Sequence, residues 1–182
     1  MKKLIAGTLL VIGAYSAQAQ NVNITSKTSE VKIFSKTPVE DIEAVNNKAR
    51  AIINPNSMDI AVKITNTDFD FPNNLMEEHF NEKYMESEKY PTSIFTGKIN
   101  KKIDFTVAGT YEVEAVGKLT MHGVTKDKTL KGTIVVSESG VVLKCNFDVM
   151  LVDYNIERPS IVMAKIAEKI DIVTVFNFPL KK

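Results

Sequence analysis

Hydrophobic and polar positions alternate along most of this chain. Tyr111, Val113, Ala115, Gly117, Leu119 and Met121 alternate with Glu112, Glu114, Val116, Lys118, Thr120 and His122, the period of a strand wet on one side. Val141, Leu143, Cys145, Phe147 and Val149 oppose Val142, Lys144, Asn146 and Asp148. Met58, Ile60, Val62 and Ile64 oppose Asp59, Ala61 and Lys63, and Ile103, Phe105 and Val107 oppose Lys102, Asp104 and Thr106. Each apolar set should face inward. The pattern predicts strands over 30–36, 42–53, 58–66, 93–107, 111–122, 129–137, 141–152 and 168–178, as in an all-β sandwich or barrel. Asn54-Pro55-Asn56, Ala108-Gly109 and Ser139-Gly140 read as hairpin turns, because these residues tolerate positive φ or preset it. The last strand is apolar on both faces, with Val173 and Val175 opposite Ile170, Ile172, Phe176 and Phe178. That predicts a covering helix or loop.

One helical stretch interrupts the alternation. Over 73–85, Leu75, Met76, His79, Phe80 and Tyr84 share a face, while Glu77, Glu78, Glu82 and Lys83 take the other,. Asn74 can cap it, with Glu77 completing a box-like signal. Tyr90-Pro91 stops any helical continuation, since a residue before proline leaves the α region. A second short helical turn is predicted at 160–167, with Pro159 near its start,.

The beginning of the chain adds a destination. Lys2-Lys3, the apolar run Leu4 to Ala14, and Ala17-Gln18-Ala19 form the three parts of an export signal over 1–19,. The run is too short to span a bilayer core of ~30 Å. The expectation is cleavage before Gln20, a single domain over 20–182, a periplasmic location and no stable membrane insertion afterwards. Losing Lys2 and Lys3 takes the basic count from 23 to 21 against 22 acids, a mature charge of −1. So balanced a chain is a poor nucleic-acid binder. A single cysteine, Cys145, excludes any intramolecular disulfide,, so a core of ~160 residues must hold the fold unaided.

Chemistry is sparse. His79 and His122 are the only histidines, and Glu78-His79 has Lys83 four residues on where the zinc-protease helix word needs a second histidine,. Two histidines without ligand spacing do not make a closed zinc site. His79 is expected to hydrogen-bond at a barrel mouth, and His122 to position the Gly123 turn. Cys145 lies mid-strand among apolar residues, where a thiol is an inert small hydrophobe. No nucleophile elbow, phosphate loop or paired-carboxylate word is present,. Neither a catalytic residue, a metal nor a cofactor is expected.

Several short words recur in one order: Leu75-Met76, His79-Phe80, Tyr84, Lys89-Tyr90-Pro91, Phe95, Gly97, Gly109-Thr110-Tyr111, Val113, Gly117, Leu119-Thr120, His122-Gly123-Val124-Thr125-Lys126 and Asp153-Tyr154. This order closely resembles the YceI-like lipid- and polyisoprenoid-binding proteins. The motifs cover the second half of the mature chain. The first half departs from the family pattern: FSKTPVEDIEAVNNKARAIINPN stands where many members carry Gly-x-Phe and Ser-Gly words.

The resemblance implies a lipocalin-like antiparallel β-barrel of about eight strands holding a long-chain isoprenoid lipid, of quinone or polyprenyl phosphate type, with no reaction performed. The ligand-binding residues expected on that reading are Ile33, Ile60, Val62, Leu75, Met76, His79, Phe80, Phe95, Phe105, Val113, Leu119, Leu143 and Phe147. The 73–85 helix would be a lid, and the protein a monomer or homodimer. Periodicity alone leaves the interior open, because an eight-stranded barrel is either filled by side chains or just hollow enough for one small ligand. A filled barrel acting as a protein-interaction module is the rival reading. A small hydrolase or isomerase using His79 is a third, and it needs a polar pocket.

Overall fold

The computed structural model describes residues 23–158 and 164–179. Ten antiparallel strands form one curled sheet. They are β1 (Ile24–Thr25), β2 (Thr28–Lys36), β3 (Asp41–Asn46), β4 (Arg50–Ile53), β5 (Asp59–Thr65), β6 (Thr92–Ile99), β7 (Gly109–Met121), β8 (Val124–Ser137), β9 (Gly140–Met150) and β10 (Lys169–Phe178). The order across the sheet is β1-β4-β5-β6-β7-β8-β9-β10-β2-β3. The signal segment 1–19 lies outside the described residues, as does the first half, 160–163, of the helical turn expected at 160–167.

The two ends of this order meet. The Ser26 N–H donates to Ala51 O in β4 and the Lys27 N–H donates to Asn177 O in β10, both at 2.8 Å. Consecutive residues therefore bond to strands from opposite ends of the order, which rolls the sheet into a barrel with a seam. Ser26, buried, also accepts the Ala51 N–H on its hydroxyl at 2.9 Å. The link from β3 to β4 crosses the same seam. There the fully buried Asn46 donates from Nδ2 to Thr65 O and accepts the Lys48 N–H on Oδ1, each at 2.9 Å.

The structure corrects four sequence expectations. The strand predicted over 42–53 is two, split at Asn47–Ala49 where the chain leaves β2 and joins β5. The strand predicted over 93–107 stops at Ile99, and a loop runs from there to Ala108. Gly109 is thus the first residue of β7, Ala108-Gly109 is no hairpin turn, and Val107 is 52% exposed. The loop alternates for a local reason: Asp104 Oδ1 accepts from the Thr106 N–H and hydroxyl, a side-chain turn that needs no strand partner,. Finally, the half-buried Val173 and Val175 of the last strand lie between the long polar cross-strand neighbours Lys32, Asn146, Glu30 and Lys144, whose stems can shield apolar surface.

The Asn54 and Gly140 turns form as expected. Asn54 Oδ1 accepts the N–H groups of Asn56 and Ser57, and Gly140 adopts φ 142°. A two-residue turn at His122-Gly123, with φ of 50° and 74°, joins the long strands β7 and β8, the mirror-image geometry that matches hairpin twist.

Candidate functional site

The segment between β5 and β6 folds over one end of the barrel. Helix α1 (Asn74–His79) is capped by Asn73, whose side chain accepts the Met76 N–H at 3.0 Å, so the cap is one residue earlier than Asn74. A π-helical turn, Phe80–Tyr84, continues it, with the Met85 N–H bonded to Phe80 O at 2.8 Å. Such turns are rare and occur frequently at functional sites. The Phe80 ring packs edge-on to Phe69 at 5.5 Å and tilted against Phe71 at 4.9 Å. A six-residue helix has no stability of its own in water, so these aromatic contacts hold it down.

The end of the segment is anchored twice. Asn66, 1% exposed, donates from Nδ2 to Tyr90 O at 2.6 Å and accepts from the Ser93 hydroxyl at 2.9 Å. His122 bridges Tyr154 O, 2.9 Å from Nδ1, and Glu86 Oε2, 3.1 Å from Nε2, with the Tyr90 ring against its own at 4.7 Å. A side chain at Gly123 would strike Tyr90 at 2.5 Å, so glycine there serves both the positive φ and the docking of Tyr90. Lys89-Tyr90-Pro91 and His122-Gly123, distant in sequence, are one joint in space.

Beneath the lid lie two cavities. The outer measures about 380 Å³ and the inner about 70 Å³. Ile64 from β5, Ser93 from β6, Leu119 from β7 and Phe147 from β9 line both, forming a collar between them. Of the residues expected to bind ligand, Ile33, Leu75, Met76, His79 and Phe80 line the outer cavity and Ile60, Val62, Phe95, Val113 and Leu143 the inner; Leu119 and Phe147 line both. Phe105 lines neither. It is buried in the loop between β6 and β7, because the strand expected to carry it ends earlier.

Sequence reasoning missed Ile42, Phe69, Phe71, Tyr84, Met85, Ile156 and Ile166, all on the outer cavity. Phe69 and Phe71 carried a signal, an aromatic i, i+2 pair directly before the helix. Ile42 was hidden in the strand that proved to be two.

Polar groups on these walls are few and mostly engaged. Glu40 and Lys165 pair at 3.7 Å beside the outer cavity, and the Ser35 hydroxyl accepts the Ala167 N–H at 2.9 Å. His79 reaches the cavity but makes no hydrogen bond to a described residue, contrary to expectation. Burial pushes the Cys145 thiol on the inner wall up to about 11 and raises the Tyr84 hydroxyl above its usual value. Among the described residues no three His, Cys, Asp or Glu gather where they could hold a metal, and no helix is long and apolar enough to cross a membrane.

A lidded antiparallel barrel with an apolar, two-chambered interior has the lipocalin-like architecture. The chain belongs to the YceI-like domain family, whose model matches residues 15–178. Solved structures share the fold. A polyisoprenoid binding domain from Saccharophagus degradans is 12% identical with TM-score 0.73, covering 86% of this chain and 98% of its own. BcnA from Burkholderia cenocepacia is 16% identical with TM-score 0.69, covering 82% and 95%. A Campylobacter jejuni YCEI protein is 18% identical with TM-score 0.56, both chains covered in full. No curated protein matches the chain.

Proposed function

We propose that this protein binds a long-chain isoprenoid lipid, of quinone or polyprenyl phosphate type, inside the barrel and carries or stores it unchanged. The observation behind this is the apolar cavity under the lid, about 380 Å³ in its outer part. Each buried CH₂ is worth about 0.8 kcal/mol, so a five-carbon isoprene unit contributes at most ~4 kcal/mol. Association costs ~4–15 kcal/mol, so one unit is too little and several are needed. Such a pocket selects for long tails and is weakly selective about head groups. The binding named for the Saccharophagus degradans neighbour supports the same reading.

The wall chemistry favours holding over reacting. Ser93 spends its proton on Asn66, and the Cys145 thiol stays protonated far above neutral pH. The export signal in the sequence places the protein in the periplasm on this reading, beginning at Gln20 after cleavage,. Intact-mass measurement of the soluble periplasmic form tests that start, and a membrane-bound form retaining residues 1–19 would refute it. The central test is mass spectrometry of an organic extract from protein purified out of its native periplasm. An isoprenoid at about one per chain is expected. Protein that carries none, in any preparation, and takes up none when offered it, argues for the filled-barrel interaction module instead.

A further inference from the structure

Resting on the isoprenoid reading, we infer that the ligand carries an uncharged head group, held by a hydrogen bond from His79, and that an acidic lid turns phosphates away. The apolar interior is weakly selective about head groups, so the choice falls to the groups around the lidded end. Residues 66–91, the segment between β5 and β6, hold seven acids against two lysines, a net −5. The whole mature chain is −1, so everything outside this segment sums to +4. Glu78 and Glu82 are exposed, while Met76, His79, Phe80 and Tyr84 of the same lid line the outer cavity. Lys48 reaches in from the link between β3 and β4 and offsets one of the acids, Asp68, at 3.0 Å. The field over this end of the barrel stays negative.

The wall of the outer cavity agrees with this. Apart from His79, its ionisable groups with a charge to offer are Glu40 and Lys165, which pair with each other at 3.7 Å. A phosphate is held by charge-assisted bonds from lysine or arginine. Here it finds one ammonium, already matched by a carboxylate. Taking that ammonium would leave Glu40 unmatched beside the incoming anion, under a lid of the same sign. An uncharged head asks less. His79 makes no hydrogen bond to a described residue, and a histidine carries an N–H in either tautomer. That N–H suits a carbonyl or hydroxyl oxygen. Ser93 and Asn66 on the same wall are already committed to each other.

The test uses three probes that share one long tail: solanesol, solanesyl phosphate and the ubiquinone of the same tail length. Each pair is offered in equal amounts, in nonionic detergent micelles, to delipidated full-length mature protein. The protein is re-isolated and its bound lipids are counted by mass spectrometry. At low salt the alcohol and the quinone should each outcompete the phosphate by about tenfold or more. In about 1 M salt, which cuts the screening length to ~3 Å, that margin should shrink. Glu78→Lys with Glu82→Lys, two exposed positions off the cavity wall, should shrink it at low salt. His79→Leu should cost the alcohol and the quinone several-fold but spare squalene, an isoprenoid without a head. Phosphate taken up as well as the alcohol at low salt would overturn the acidic-lid selection while leaving the isoprenoid reading intact. So would a margin that ignores both salt and the lid charges. A His79→Leu loss shared by squalene would overturn its role as the head-group donor. If no probe, squalene included, enters the wild type, the isoprenoid reading itself fails.

Discussion

Gly97 and Gly117 lie directly opposite each other on β6 and β7, with no room for a side chain between the strands. A Cβ on Gly117 would stand 2.1 Å from Thr96 O and 2.5 Å from the Gly97 Cα. These obstacles are backbone, which cannot swing away. Gly117→Ala should therefore cost ~3 kcal/mol or more, visible as a lower urea midpoint. A midpoint within experimental scatter of wild type would show that the two strands can part freely there.

Phe80→Asp should weaken isoprenoid binding by about tenfold or more. It removes the ring that seats the lid on Phe69 and Phe71, and it puts a charge on the apolar wall of the outer cavity, where a carboxylate must be desolvated. Equilibrium binding of farnesol to wild type and variant measures it. Equal affinity would detach the lid from ligand binding.

Cys145 should resist alkylation. Burial lifts its thiol from 9.0 to about 11, so at pH 8 almost none is thiolate, the reactive form. Iodoacetamide should label it far more slowly than an unfolded control. The same shift sets a stability trend. With the folded value raised, the native state holds the proton longer than the unfolded chain, so this contribution is full below about 9 and is lost as pH rises towards about 11,. Urea unfolding at pH 8 and pH 10.5 of wild type against Cys145→Ala should show the wild type losing more stability. Equal losses would contradict it.

Chelator treatment should leave the melting temperature and lipid retention unchanged, because removing a structural metal removes folding free energy. His122 has both ring nitrogens on Tyr154 O and Glu86, and His79 sits alone on the cavity wall. A drop of several degrees after chelation would show that these residues hold a metal after all.

Much of the architecture was legible from period-two alternation, because one face of each strand is wet. The inward sets of β5, β7 and β9 appear on the walls as read. Alternation fails where the chain changes partners without a breaker. The break between β3 and β4 is marked by Asn46-Asn47, a turn-favouring pair without the glycine or proline that would have made it stand out,. Alternation also fails where Ile103 and Phe105 are buried from a loop. The π-helical turn was illegible too, since the apolar spacing of Met76, Phe80 and Tyr84 fits an ordinary helix equally well. As for the site, periodicity could name the wall of the barrel but not its hollowness, which depends on how far residues such as Phe147 fall short of meeting across the interior.

The seam at Ser26 and Lys27 has a consequence in time. β2 pairs with β10, so a strand near the start of the chain waits for one near its end. Until Asn177 arrives to receive the Lys27 N–H, the roll stays open, and closing so long a loop is entropically slow. The ring therefore cannot close before β10 has been made. Any product cut short before β10 would leave β2 and β9 with bare backbone edges, the template on which chains stick to one another. In this molecule the final strand is the clasp, and an unclasped chain is an aggregation hazard before it is a binding protein.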